Sequence, residues 1–327
     1  MIGIFKQKSP GNIFLLLIFG LLVKLPLFMF PRNVVATDWD GALYQSLIHW
    51  MPAENGYTAS FLAFVLLYVQ SLMINFIVNE FRLTTRQNYL PAMAYLLITS
   101  LMPEWSYLSS PLVAAGFVIW IFILLFGLYN SSSAMPQVFN IGLLAGISSY
   151  IYFPSVTFII CIITGMMILK PFRINEIILF LFGWLSPYYF HAVYLFLNDS
   201  FIIEDFLPKF DLVIPDLKNS IWLAASTFLL TIPFLLGGYF IQFHLRKMLI
   251  QTRKYWSIIL LYLLLAFFVP FINSNHSFHA WILLMAPFSA FHASAYFFQT
   301  RNIVSHILFF ITLGYVFYLQ YGTPTWH

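Results

Sequence analysis

Two acidic residues, Asp38 and Asp40, form a D-x-D pattern in the loop that follows the first hydrophobic segment. In an extended backbone, side chains two positions apart project to the same side, so the two carboxylates could share a divalent cation such as Mg²⁺ or Mn²⁺. Alternatively, one carboxylate could act as a base while the other tunes its proton affinity. A purely structural interpretation also fits the pattern: two solvated loop acids, with Asp40 capping the helix that follows.

Two further charged residues are candidate substrate ligands. Lys24 lies inside the first hydrophobic segment, about 10 Å below the outer membrane surface at roughly 1.5 Å per residue. A charge within a membrane span usually has a function, but a lysine side chain is also long enough to reach the surface. Glu104 ends the third hydrophobic segment, on the side expected for Asp38 and Asp40, although a helix turn capped by Pro103 and Glu104 is the structural alternative.

Two histidines, His276 and His279, occupy a polar segment late in the chain. Their i, i+3 spacing would let them bind a metal ion or donate hydrogen bonds to a phosphate. An interfacial turn without a ligand accounts for the same residues, so both interpretations stay open.

The residues that follow the acidic pair, 41–50, predict a short amphipathic helix. Leu43, Leu47 and Trp50 share one side of it, as expected of a helix that lies in the membrane interface. Such a helix would hold the acidic loop beside the bilayer surface.

Composition indicates what these residues are embedded in. Of the 327 residues, 61% are hydrophobic and 20% aromatic, and only 8% are charged. The mean hydropathy is +0.86, and soluble domains are only roughly 45–50% apolar. Because a bilayer core about 30 Å thick takes roughly 20 apolar residues per helix, the chain is predicted to be an all-α, polytopic transmembrane protein. The apolar segments give about 11 spans, near 12–31, 58–79, 88–103, 106–129, 138–153, 154–169, 176–197, 220–242, 256–272, 280–298 and 303–320.

The chain 1–327 is predicted to be a single integral membrane domain, with external loops near 32–57 and 198–219. Its net charge is +4, but the basic residues are scattered, which argues against nucleic acid as a partner. With a cytoplasmic N-terminus, the inner loops hold eleven of the 15 Lys and Arg residues, as the positive-inside rule requires. The same rule keeps two spans within 138–169, broken near Phe153 and Pro154. The single Cys161 allows no internal disulfide.

Four motifs resemble the membrane glycosyltransferases of the GT-C fold, which use polyprenyl-phosphate sugar donors. They read TDWD followed by GALY at 37–44, LPAMAYLLITSLMPEWSYLSSPLVAAGFVIW at 90–120, IGLLAGISSYIYFPSVTFII at 141–160, and HSFHAWILLMAPFSAFHASAYF at 276–297. The resemblance implies Asp38 as the catalytic base, Asp40 as its helper or as a metal ligand, and Tyr44 as a substrate ligand.

The same resemblance suggests a site for the donor phosphate. His276 and His279 fall where relatives place a basic residue against the lipid phosphate. Because this chain has no Lys or Arg between 273 and 299, the resemblance leaves phosphate binding to Arg32, Lys24 or Lys209. The implied partner is a membrane lipid, the polyprenyl-phosphate sugar donor, with a divalent cation as a possible cofactor.

The opening residues, 1–20, also resemble a compact family of multi-span inner-membrane proteins of Bacteroidota, and that resemblance carries no activity with it. The resemblance to GT-C glycosyltransferases implies sugar transfer on the external face of a bacterial inner membrane. Two other classes of function stay open. One is a non-enzymatic subunit or scaffold of an envelope assembly, and the other is a transporter, against which the lack of an internal repeat counts.

Overall fold

The structure, a computed structural model, describes residues 2–7, 9, 11–37, 39–52, 54–129, 131, 134–171, 173–199, 211–212, 221–272, 278–299 and 302–322. Within these residues the chain is helical and has no strand, which confirms the predicted all-α class. One isolated β-bridge pairs Leu212 with Ile272. The predicted site residues Asp38 and His276, and most of the loop 198–219, lie outside the described residues.

The described α-helices are numbered α1 to α14 in chain order. They are α1 Ile2–Phe5, α2 Gly11–Lys24, α3 Pro26–Met29, α4 Ala42–His49, α5 Gly56–Glu80, α6 Leu90–Ile98, α7 Ser110–Gly127, α8 Ala134–Ile151, α9 Phe158–Leu169, α10 Ile174–Leu197, α11 Ile221–His244, α12 Ile250–Phe268, α13 Met285–Phe298 and α14 Asn302–Gly322. Short 3-10 helices lie at Pro103–Trp105, Phe153–Thr157, Leu245–Lys247, Val269–Phe271 and Phe278–Leu284.

Among the described residues, 7 helical segments are long and apolar enough to cross a membrane, so the chain is an integral membrane protein. They are Gly56–Glu80, Ser110–Gly127, Ile174–Leu197, Ile221–Lys247, Ile250–Phe271, Phe278–Phe298 and Ile303–Gly322. Gly11–Lys24 and Phe153–Leu169 are shorter apolar helices. Each of the eleven predicted segments contains a helix, but the number of actual spans remains a prediction.

The third predicted segment, 88–103, is helical only in its first part. Helix α6 has 9 residues and therefore rises about 14 Å, which is too short to cross a bilayer core. The helix ends where the Thr99 hydroxyl bonds back to the Tyr95 carbonyl and the Ser100 hydroxyl to the Leu96 carbonyl, because such side chains compete with the helical hydrogen bonds. All residues of α6 are buried, so this short helix forms the centre of the bundle.

A buried glutamine connects the central helices. The Tyr95 hydroxyl donates to Gln70 Oε1 at 2.6 Å, and Gln70 Nε2 donates to the Leu112 carbonyl at 2.8 Å. These contacts join α5, α6 and α7. Since a polar group in an apolar core is costly unless it is paired, this pairing fixes how the three helices fit together.

The predicted amphipathic helix is present as α4, and it lies on α8. Tyr44 and Ile48 are buried beneath it, whereas Leu43, Leu47 and Trp50 are 42%, 41% and 90% exposed. The predicted apolar outer side is therefore confirmed. The predicted break near Phe153 is confirmed too, since α8 ends at Ile151 and a 3-10 helix begins at Phe153.

Candidate functional site

The loop before α4 is fastened to the start of α5 by two asparagines. The buried Asn55 side chain accepts from the Val34 N–H at 2.8 Å and donates to the Val34 carbonyl at 2.9 Å. The Gly56 N–H donates to the Asn33 side chain at 2.9 Å. Both backbone groups of Val34 are therefore bound. These bonds fix the position of the loop segment that contains Arg32.

Asp40 closes the end of this loop through both carboxylate oxygens. Oδ2 accepts from the N–H and the hydroxyl of Thr37, each at 2.8 Å, and Oδ1 accepts from the Ser110 hydroxyl in the first turn of α7. The interpretation of Asp40 as a helix cap is wrong, because α4 begins after Gly41 and has no side-chain cap. Asp40 instead joins the loop to the start of α7, where the positive end of the helix dipole favours an anion.

Gly41 brings this loop against the end of α8. Its N–H donates to the Ile151 carbonyl at 3.0 Å. A Cβ at this position would lie 2.7 Å from the Ile151 oxygen and closer still to the Tyr150 oxygen. The backbone angles of Gly41, φ −66° and ψ 152°, are accessible to any residue. Glycine is therefore required here by the close approach to α8, and not by a special backbone conformation.

These contacts surround a cavity of about 380 Å³ at one end of the helix bundle. Its walls come from the loop before α4, from α4, from the starts of α7 and the 3-10 helix Phe278–Leu284, and from the end of α8. Charged, hydroxyl and aromatic side chains all face it, among them Arg32, Trp39, Asp40, Tyr44, Tyr152 and His279. The fold thus brings together four predicted site residues that are far apart in the sequence: Arg32, Asp40, Tyr44 and His279.

Arg32 is the cation in the cavity wall. Its guanidinium carbon lies 4.6 Å from the centre of the Tyr107 ring, a cation–π contact worth about 0.5–1 kcal/mol at an exposed site. The Tyr107 hydroxyl donates to the Phe30 carbonyl at 3.3 Å. Burial raises the pKa of Tyr107, and the Arg32 charge only partly opposes this. The ring is therefore a neutral platform beneath the guanidinium.

Tyr44 lines the cavity and carries a buried hydroxyl group. The side chain is 2% exposed, and no described residue forms a hydrogen bond with its hydroxyl. Burial, together with the negative charge of Asp40, raises the pKa of Tyr44, so the group stays protonated and can donate. Leaving a buried hydroxyl unpaired costs roughly 1–3 kcal/mol.

His279 is held by the backbone of the turn that contains Glu104. Its Nδ1 donates to the Glu104 carbonyl at 2.8 Å, across 175 residues of sequence. Beside it, Trp105 Nε1 donates to the Phe278 carbonyl at 2.8 Å. These two bonds lock the turn Pro103–Trp105 to the 3-10 helix. Glu104 is absent from the described lining of the cavity. It contributes to the site through its backbone carbonyl, which accepts the hydrogen bond from His279, and not through its carboxylate.

Lys24 lies outside this cavity. Its ammonium group donates to the Ser106 hydroxyl at 2.8 Å, and the residue is 1% exposed. The interpretation of Lys24 as a lysine that reaches the membrane surface is therefore wrong. Lys24 and Gln320 instead line a separate space of about 20 Å³, roughly the size needed for one water molecule.

Several residues of the site carry no recognisable signal in the sequence. Ser110 belongs to a Ser-Ser-Pro run typical of a helix start, and nothing local connects it with Asp40. Asn55 and Tyr152 carry no local signal either, because their roles depend on contacts between distant segments.

The described residues alone do not form a site for a divalent cation. The described residues include no group of three or more His, Cys, Asp or Glu side chains that could hold one. Asp40 already accepts two hydrogen bonds at Oδ2 and one at Oδ1, so a cation that wants about six oxygens would find one lone-pair direction here. Because Asp38 lies outside the described residues, a divalent cation held by Asp38 and Asp40 together stays a prediction.

No family model, curated protein or solved structure matches this chain. The resemblance to GT-C glycosyltransferases therefore remains a prediction from the motifs. The residues that line the cavity are the basis for the function proposed below.

Proposed function

We propose that this chain is a membrane glycosyltransferase that moves a sugar from a polyprenyl-phosphate donor to a glycan, lipid or protein acceptor. The observation that carries the proposal is the cavity of about 380 Å³, where a cation, hydroxyl groups and aromatic rings meet. Its volume lies in the range of roughly 300–1,000 Å³ typical of small-molecule sites. Hydroxyl groups and aromatic rings suit a sugar, and a guanidinium suits its phosphate.

Arg32 is the residue we assign to the donor phosphate. Of the three candidates suggested by the resemblance, Lys24 lies in another cavity and Lys209 lies outside the described residues. A guanidinium can bind two phosphate oxygens at once, which fixes both position and orientation. Its contact with the Tyr107 ring holds the side chain at the cavity wall.

In the proposed reaction, an acceptor hydroxyl attacks the anomeric carbon of the donor sugar. The bond from that carbon to the phosphate oxygen breaks, and polyprenyl phosphate leaves with its charge against Arg32. Tyr44, which the resemblance implies as a substrate ligand, lines the cavity beside Asp40. The resemblance makes Asp38 the base that takes the acceptor proton.

The donor would reach the cavity from the bilayer along α4. The exposed Leu43, Leu47 and Trp50 form an apolar face beside the cavity wall that α4 supplies. A helix of this kind lies in the interface with its apolar face among the lipids. We further propose that the N-terminus is cytoplasmic and that the cavity opens on the external face of a bacterial inner membrane, as the distribution of basic residues suggests.

The proposal is tested in proteoliposomes that contain undecaprenyl phosphate carrying radiolabelled glucose, mannose or galactose. The wild type is expected to consume at least one donor, with water or added methyl glycosides as acceptor. Arg32→Gln should lower the rate roughly 10²-fold, the usual loss when one charge-stabilising group is removed. Arg86→Gln is the matched control, because Arg86 is exposed and lies outside the cavity lining. A correctly folded wild type that consumes none of the donors would refute the proposal.

A further inference from the structure

One ring nitrogen of His279 forms a hydrogen bond, and the other has no partner among the described residues. Because a carbonyl oxygen can only accept, the bond to Glu104 requires a proton on Nδ1. In the neutral imidazole, Nε2 then carries a lone pair. No described residue forms a hydrogen bond with Nε2, and this nitrogen is not among the sealed polar atoms without a partner. Since His279 lines the cavity, the fold presents a hydrogen-bond acceptor there.

The Asp40 carboxylate, unlike Nε2 of His279, already accepts several hydrogen bonds. Thr37 and Ser110 already donate three hydrogen bonds to it. Taking up a proton at Asp40 would weaken these bonds and release the loop from α7, because a protonated carboxyl group accepts less well. Asp40 is therefore suited to holding the loop against the start of α7. Among the described residues that line the cavity, His279 is therefore the better proton acceptor.

We propose that His279 is the catalytic base of this site and that Asp40 is a positioning residue. The inference rests on the proposed function and changes one of its assignments. As the acceptor oxygen bonds to the anomeric carbon, its proton passes to His279 Nε2, and the bond between that carbon and the phosphate oxygen breaks. The products are the glycosylated acceptor, polyprenyl phosphate and an imidazolium, which returns its proton to water.

This assignment differs from both roles implied by the resemblance. There, a basic residue at this place would bind the lipid phosphate, and Asp38 would be the base. A phosphate ligand must donate, whereas the bond from Nδ1 to the Glu104 carbonyl leaves neutral His279 with only an acceptor at the cavity. The geometry thus separates the tasks, with Arg32 for the phosphate and His279 for the proton.

The first arm of the test needs no substrate. Diethyl pyrocarbonate acylates an unprotonated imidazole nitrogen that it can reach, and peptide mass spectrometry locates the product. His279 and the exposed His49 should both be acylated, whereas His292, which is 1% exposed and bonded through Nε2 to the Leu230 carbonyl, should not. Acylation of His49 with none at His279 would overturn the assignment of a reachable lone pair.

The second arm measures donor consumption in the same proteoliposomes. His279→Asn keeps an amide N–H in reach of the Glu104 carbonyl but has no basic nitrogen, so the rate should fall about 10²–10⁴-fold. In His279→Ala, added imidazole should restore part of the rate. His49→Asn, in contrast, should keep the wild-type rate, because His49 is exposed and lies outside the cavity lining.

The outcomes separate the two proposals. If the wild type is active and His279→Asn is equally active, His279 is not the base, while the glycosyltransferase proposal survives. His279 is likewise excluded as the base if imidazole restores nothing and Asp38→Asn is inactive. If the wild type consumes no donor, both the proposed function and this inference are wrong.

Discussion

Replacing Gly41 by alanine should detach α4 from the rest of the protein. The added Cβ would lie 2.7 Å from the Ile151 oxygen, whereas ordinary contacts begin at 3.4 Å, and the neighbouring atom is backbone and not a movable side-chain end. The loop must therefore shift, and the hydrogen bond from the Gly41 N–H to Ile151 is lost with it. Both effects act on the helix that carries Tyr44.

The size of the effect follows from these two losses. A lost hydrogen bond costs about 0.5–1.5 kcal/mol, and overpacking costs about 1–3 kcal/mol. Together they lower the free energy of opening α4 by about 1.5–4.5 kcal/mol. Since about 1.4 kcal/mol is a factor of ten in an equilibrium constant, the open state should become roughly 10- to 2,000-fold more populated.

Hydrogen–deuterium exchange of the detergent-solubilised protein measures this directly, because exchange of protected amides reports the free energy of local opening. The peptide that covers Ala42–His49 should exchange faster by that factor in Gly41→Ala. Peptides from α6 should be unchanged, since this helix is buried at the centre of the bundle. Gly127→Ala is the matched control, because no atom lies within 4 Å of the Cβ that it adds.

Unchanged exchange over α4 in Gly41→Ala would refute the reasoning. It would mean that α4 does not lie as closely on α8 as described. The cavity wall built from Tyr44 and the preceding loop would then have no fixed position, and the roles given to its side chains would lose their basis.

Two further predictions use thermal unfolding followed by a thiol-reactive dye, for which the single, buried Cys161 is the reporter. Gly237→Ala should destabilise the protein by about 1–3 kcal/mol, because its Cβ would lie 2.8 Å from the Phe291 carbonyl carbon. The adjacent Gly238→Ala meets no atom within 4 Å and should be neutral or stabilising by up to about 1 kcal/mol; equal effects would contradict the packing of α11 on α13. Lys24→Met should stabilise the folded protein by about 1–3 kcal/mol, since it removes a buried ammonium group. It should leave donor consumption unchanged. Loss of activity with intact folding would mean that Lys24 belongs to the site.

The parts of the fold that follow from local pattern were predictable from the sequence. Helix α4 could be predicted because Leu43, Leu47 and Trp50 repeat at helical spacing within one short segment. The break before Phe153 could be predicted because a proline follows it. Such features depend on a few neighbouring residues and on the bilayer, which dictates apolar helices.

The site was less predictable because its contacts join distant segments. His279 could be selected as a polar residue, but its tautomer depends on a carbonyl 175 residues away. Likewise, Asp40 has the features of a helix cap until Ser110 is placed beside it. Lys24 has the same sequence signature whether it faces a substrate or a buried serine. Only the packing of helices against one another separates these alternatives.

The most direct test of the central claim is mass spectrometry of the lipids that co-purify with the detergent-solubilised protein. Wild type is compared with Arg32→Gln, and Arg86→Gln serves as the control. If the cavity binds a polyprenyl-phosphate donor, polyprenyl phosphate or its glycosylated form should be enriched with wild type and with Arg86→Gln, and lost with Arg32→Gln. Bulk phospholipid alone in all three folded proteins would contradict the account and favour a non-enzymatic role in an envelope assembly.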